Sequence, residues 1–190
     1  MSKKEADIYL SIDLDYWRYI NSARRFINKC LKSGKPILLV EDHNYLVGDI
    51  NKSKCTTIIN IDQHSDIWDE RHFSPSYLDC SNWANFIKRQ RSKIFIWWRT
   101  KERRNYNCSR NVGFLRTSCG YKELRAETGL GKVPWKRVKR IGIVVSRPWL
   151  VEEMYKSIEK GFIANLRKNP RIKLDRRSHD NNKGGYDYGL

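Results

Sequence analysis

The sequence predicts a three-layer α/β fold with a mostly parallel sheet, and three observations predict it. Short runs rich in β-branched and aromatic residues recur at 7–14, 37–41, 56–62, 94–98 and 141–145. Stretches with apolar residues at helical spacing separate several of these runs, the alternation that builds parallel βαβ units. The first three runs each lead into carboxylates or imidazoles: Asp13-Leu14-Asp15, Glu41-Asp42-His43 and Asp62-Gln63-His64-Ser65-Asp66. In an open parallel sheet such ends share one edge, where ligands bind.

Taken in order, 7–14 is the first strand. From Tyr16 to Leu31, the residues Trp17, Ile20, Ala23, Ile27 and Leu31 stand near helical spacing. Ser33-Gly34-Lys35-Pro36 stops that helix. Residues 37–41 form the second strand, 48–53 a polar connection and 56–62 the third strand. Trp68 to Cys80 reads as an aromatic loop, and Ser81 caps a helix over 83–91. Residues 94–98 are the fourth strand. Residues 99–136 have no clear period, and an insertion, a lid and a recognition element all fit. Residues 141–145 are the fifth strand. Pro148 opens a helix to about Arg167, with Leu150, Met154, Ile158, Phe162 and Leu166 inward. One domain over 1–167 is therefore expected. Residues 168–190 are basic and contain glycine, and a flexible tail is expected there.

A chain of 190 residues can bury a real core. Hydrophobic content of 39%, with seven Trp and ten Tyr, marks it as globular. No apolar run approaches the ~18–20 residues of a membrane span. Met1-Ser2-Lys3-Lys4-Glu5 lacks the apolar core of a signal peptide, so a cytoplasmic protein is expected. Cys30, Cys55, Cys80, Cys108 and Cys119 are odd in number and lack C-x-x-C spacing. That disfavours a zinc ribbon or a disulfide framework and favours reduced thiols. The net charge of +17 serves solubility or an acidic partner: nucleic acid, an anionic surface or an acidic peptide.

Asp13, Asp15, His43, Asp62, His64 and Asp66 offer four carboxylates and two imidazoles. A lone Asp at a strand end is ordinarily a turn residue or a helix cap. Six such groups at the ends of three strands ask for a shared cause, and metal supplies one. The oxygen-rich set suits two manganese ions better than zinc, which takes fewer ligands and often sulfur. A pair of such ions activates water as a nucleophile.

These motifs resemble those of the arginase (ureohydrolase) superfamily. Asp62-Gln63-His64-Ser65-Asp66 is similar to its D-A-H-x-D motif, and Ser11-Ile12-Asp13-Leu14-Asp15 to its S-x-D-x-D motif. Glu41-Asp42-His43-Asn44 resembles the segment that carries its first histidine ligand. The resemblance implies an arginase-like domain over 1–167 holding two Mn2+ ions. Asp13 and Asp62 would bridge the ions, His43 and Asp66 would bind one, and His64 and Asp15 the other. The order is permuted, because the S-x-D-x-D motif comes first here and last in ordinary arginases. The usual GG before the first histidine and the D-P after the last motif are absent, and the chain is short. In these respects it resembles the compact peptide arginases of peptide natural-product (RiPP) biosynthesis. These convert arginine side chains of a precursor peptide to ornithine with release of urea.

That activity also needs a proton shuttle and a group to hold the guanidinium. His72 is the shuttle candidate, with a surface histidine as its other reading. Asn82 can line the pocket, as can Trp83, whose other reading is a core residue. Glu152 or Glu153 can face the guanidinium, or can simply form an acidic first turn favoured by the helix dipole. The expected function is thus a metal-dependent C–N hydrolase acting on an arginine-containing precursor peptide, with an acidic leader as counter-charge. The +17 field repels free arginine, itself a cation. A two-metal nuclease or nucleic-acid-binding protein is the alternative that explains the charge directly, although no HTH, RRM or zinc-finger signature appears. An arginase-fold amide deacetylase is the other alternative, and the paired-histidine motif of such enzymes is not found.

Overall fold

Ile8–Asp13 is buried at every position. A strand with no exposed face belongs in the middle of a sheet covered on both sides. The computed structural model puts it there; the structure describes residues 7–64, 66, 78, 83–87, 94–99, 123–146, 150, 156–157, 163–170 and 172–174. This strand is β1. The others are β2 (Ile37–Val40), β3 (Thr57–Ile61), β4 (Ile94–Arg99), β5 (Glu123–Thr128), β6 (Val138–Val144) and β7 (Ile172–Leu174). They form one seven-stranded sheet in the order β5-β4-β3-β1-β6-β2-β7. Every pairing in it is parallel.

The two-residue period of β1 divides the core. Ile8, Leu10 and Ile12 pack with Ala23, Ile27 and Cys30 of helix α1 (Ile20–Lys32). Tyr9 faces the other way, toward Val47 and Ile50 of the short helix α2 (Val47–Lys52) and toward Trp83, Ala84 and Ile87. Two polar contacts fasten α2: the Tyr9 hydroxyl donates to Asp49 at 2.9 Å, and Arg140 pairs with the same carboxylate at 2.9 Å. Gly142 of β6 admits Leu46 close to the sheet. A Cβ there would stand 2.7 Å and 2.8 Å from the Leu46 methyl carbons, which are buried.

This topology creates a crevice. The connection that leaves β1 crosses the α1 face, and the residues described between β3 and β4 pack on the opposite face. β1 and β3 are neighbours. Adjacent strands whose connections leave to opposite sides open a cleft at their carboxyl ends, the usual ligand position in such sheets.

The α/β class expected from sequence is present, and the sheet is wholly parallel among the described strands rather than mostly so. Other expectations need correction. The helix expected from Tyr16 starts at Ile20, because Leu14–Tyr16 forms a 3-10 turn. Residues 48–53, read as a polar connection, fall largely within α2, whose Val47 and Ile50 are buried. The helix expected over 83–91 is a 3-10 turn at Trp83–Phe86, and 88–91 lie outside the described residues. Within 99–136, β5 extends the sheet beyond β4. Of the helix expected after Pro148, residue 150 is a bend, and the described helical parts are 156–157 and α3 (Ile163–Lys168). The segment expected to be a flexible tail, 168–190, contributes β7, which pairs with β2 and buries Ile172. Cys30 and Cys55 are buried thiols, and burial pushes Cys30 up to about 12. No described helix is long and apolar enough to cross a membrane.

Candidate metal centre

The carboxyl ends of β1, β2 and β3 bring the six predicted ligands together. Asp13 is the last residue of β1, and Asp15 lies in the 3-10 turn that follows. That turn is fixed by the Asp15 N–H, which donates to Asp13 Oδ1 at 2.8 Å. His43 opens a buried 3-10 turn just past β2. Asp62 follows β3, and the turn beyond it is tied by the His64 N–H, which donates to Asp62 Oδ1 at 2.8 Å. Asp66 ends this turn in the left-handed region, at φ 52°. Few non-glycine residues adopt that conformation without local compensation.

The groups fall into two sets. His43 Nδ1 lies 3.3 Å from Asp13 Oδ2, 3.6 Å from Asp62 Oδ2 and 3.1 Å from Asp66 Oδ2. His64 Nδ1 lies 3.4 Å from Asp15 Oδ2 and 3.7 Å from Asp62 Oδ1. Asp62 therefore turns one oxygen toward each imidazole. Donor atoms that share an ion at ~2.1 Å stand about 3.0–3.5 Å from one another; three of these distances lie in that range, and the two to Asp62, 3.6 Å and 3.7 Å, lie just beyond it. Asp13-His43-Asp62 and Asp15-Asp62-His64 each offer atoms close enough to hold one ion. Asp13 Oδ2 stands with the His43 set, and its other oxygen accepts the Asp15 N–H, as Asp62 Oδ1 accepts the His64 N–H.

The electrostatics fit a cation. Asp13, Asp15, Asp62 and Asp66 are all buried. Burial first, then the charges of Asp15 and Asp62, hold the Asp13 carboxyl well above its usual range. Burial and the Asp62 charge do the same to Asp66, and burial raises Asp15. Burial is the largest influence on Asp62 and pushes it upward, but the hydrogen bonds from His64 and Asp66 and the charge of His43 together outweigh it, and Asp62 ends below its usual value. Hydrogen bonds to Asp15 and Asp62 lift His64 to about 10. Burial lowers His43 to about 4, leaving it a neutral imidazole at pH 7. Protons on His64 and the raised carboxyls thus do the neutralising that a divalent cation would do. Asp15 Oδ1 is buried without a hydrogen bond, a further donor atom available to an ion.

A ring of supporting residues orients the ligands, and sequence reasoning missed most of it. Ser146, past β6 at φ 50°, donates its hydroxyl to Asp13 Oδ2 at 2.5 Å. Trp83 donates Nε1–H to Asp66 Oδ2 at 2.5 Å, and its ring stacks on His43 at 4.8 Å with planes 3° apart. Trp97 donates to the Asp62 carbonyl at 3.0 Å, and the Asp62 N–H donates to the Trp98 carbonyl at 3.2 Å. Asn60, fully buried in β3, donates to Asp62 Oδ2 at 3.3 Å. Its side chain also lies close enough to favour the charged form of His43, although neither Asn60 Oδ1 nor His43 Nε2 makes a hydrogen bond of standard geometry. Gln63 donates its side-chain N–H to the Asp15 carbonyl, tying the two ligand turns together. A polar residue in the middle of a buried strand was the one signal that pointed to Asn60.

His72, Asn82, Glu152 and Glu153 lie outside the described residues. Compared with protein-family models, with curated proteins and with solved structures, the chain finds no match.

Proposed function

We propose that the protein is an arginase-like hydrolase with two manganese ions that converts arginine side chains of a peptide to ornithine and urea. One observation carries the reading: Asp62 presents its two oxygens to two separate Asp/His sets, the disposition of a carboxylate shared by a pair of ions. Asp13, His43, Asp62 and Asp66 would hold one ion, and Asp15, Asp62 and His64 the other. The all-oxygen and imidazole donor set suits Mn2+. Helices on both faces of the sheet accord with a three-layer arrangement of this kind.

When bound, the ions supply the activation of water that attack on a guanidinium carbon needs. The remaining work belongs to the chain. Trp83 and Ser146 hold Asp66 and Asp13 in place by short hydrogen bonds. To His72 this reading gives the role of proton shuttle to the leaving amine, and to Asn82 and to Glu152 or Glu153 that of binding the substrate. The substrate is peptidyl rather than free arginine, because a chain at +17 repels a small cation and attracts an acidic peptide.

The test is metal analysis together with mass spectrometry. Two manganese ions per chain and a loss of CH₂N₂ for each converted arginine are expected. One zinc, with release of acetate from an acetylated amine, would move the assignment to a deacetylase. Metal-dependent cleavage of DNA or RNA would move it to a nuclease.

A further inference from the structure

We infer that the solvent face of α1 is a docking track for an acidic stretch of the substrate peptide, an inference that rests on the peptide-hydrolase reading above. From Tyr16 to Val40 the chain holds no Asp or Glu, yet it carries Arg18, Arg24, Arg25, Lys29, Lys32 and Lys35. Within α1, Ala23, Ile27 and Cys30 are buried, while Arg24, Arg25, Lys29 and Lys32 are exposed. Steps of four and three residues put Arg25, Lys29 and Lys32 on one stripe, with Arg24 flanking it.

No acidic side chain of the helix offsets that stripe, although Lys29 and Lys32 in the last turn are favoured by the helix dipole. Its first turn has no acidic residue, and no side chain caps its start. Like charges at such spacing weaken a helix. Two basic groups of the sheet are answered: Lys139 pairs with Asp7 at 3.5 Å and Arg140 with Asp49 at 2.9 Å. Among the described residues, Arg24, Lys29, Lys32 and Lys35 have no such partner. An external anion would fill this role.

The stripe also has a direction. β1 and β2 run parallel through β6, so the helix between them returns from the carboxyl edge of the sheet to the amino edge. Its start, just beyond Asp15, is therefore at the metal-ligand end, with Arg18 and Tyr19 exposed beside it. Thirteen residues make a track ~20 Å long. Exposed Lys132 and Lys136 widen it, since Trp135 between them meets Phe26 of α1 at 6.1 Å.

A row of this length matches about six residues of extended peptide, whose carboxylates recur on one side at roughly the pitch of the helix turns. A single-stranded nucleic acid is the poorer fit, because its binding relies on several aromatic platforms. The stripe has one exposed aromatic, Tyr19, at one end.

Fluorescence anisotropy on the full chain tests the inference, with a labelled probe of about six glutamates, a neutral spacer and an arginine. A second probe replaces the glutamates by glutamines. The variant R24E/R25E/K29E/K32E should bind the acidic probe at least about tenfold more weakly, and wild-type binding should fall with salt. The charge-matched control K52E/K54E/K168E/K173E, altered at exposed lysines elsewhere, should stay near wild type. If the reversal fails to fold, R24Q/R25Q/K29Q/K32Q should still show a clear loss. Unchanged binding by the α1 variants, an equal loss in the control, equal binding of the glutamine probe, or tighter binding of a single-stranded oligonucleotide would overturn the inference. Binding is read without turnover, so a probe held by α1 but never converted would count against the hydrolase reading alone.

Discussion

The two halves of the metal cluster are built from the same residue types and behave differently. The His43 half is buried, roofed by the Trp83 ring and held by Ser146 and Trp83. The His64 half opens to solvent, with the imidazole 36% exposed. Burial keeps His43 neutral at pH 7, whereas neighbouring carboxylates keep a proton on His64 up to about 10. Environment, rather than residue type, thus sets which imidazole is ready to bind. The inner half is a preorganised site. Both halves must shed protons from raised carboxyls to take an ion, and the outer half must shed the His64 proton as well, so its ion should exchange more readily.

The largest effect should come from breaking what the halves share. Asp62→Ala should lose both ions and at least ~10³-fold in activity, while His64→Ala keeps one ion. Elemental analysis of the two variants separates these outcomes. Two ions retained in Asp62→Ala would end the shared-carboxylate assignment.

The next effect should appear on the inner half alone. Asn60→Leu keeps the branched shape of a buried side chain, with somewhat greater volume, but removes the donor to Asp62 and the polar neighbour of His43. Manganese affinity should fall by roughly 10–100-fold, the usual cost of losing an orienting partner, with the fold retained by circular dichroism. Trp83→Phe keeps a stacked ring without the N–H and should fall by about tenfold, toward the lower end of that range. Calorimetric titration with manganese distinguishes these from a variant that merely unfolds.

The smallest effect is the pH dependence of the outer half. A folded-state value of about 10 for His64, against 6.5 unfolded, adds stability that is complete below pH 6.5 and lost as pH rises through 10. Protein stripped of metal should therefore melt at lower temperature as pH goes from 7 to 10. His64→Gln should flatten that slope. Manganese should raise the melting temperature by binding the folded state, most clearly at the alkaline end. A stripped protein whose melting temperature rises over this range would contradict the assignment of the proton.

How well each region could be read follows from its physics. β1, β2, β3, β4 and β6 are buried on both faces or nearly so, and such strands appear as continuous apolar runs. The six ligands were legible because they stand directly after those runs. β5, Glu-Leu-Arg-Ala-Glu-Thr, is an edge strand whose charges mask it. β7 is three residues at the opposite edge, too short to show a period. α2 has only Val47 and Ile50 buried, which a six-residue window cannot distinguish from a loop. The orienting residues were hidden for another reason. Ser146 and the hydrogen bond of Trp83 owe their roles to partners 133 and 17 positions away, and no local pattern announces such a partner.

The place of β6 has a consequence for biosynthesis. All six ligands are encoded by residue 66, yet β2 does not touch β1; it reaches the centre of the sheet only through β6, residues 138–144. A nascent chain that has just cleared the ribosome with every ligand present therefore lacks the strand that sets His43 beside Asp13. Domains form such distant pairings late. Filling of the His43 half would then report on synthesis through β6: a fragment ending before Val138 carries every donor, and β1 and β3 can pair in it, but it lacks the strand that brings His43 to Asp13.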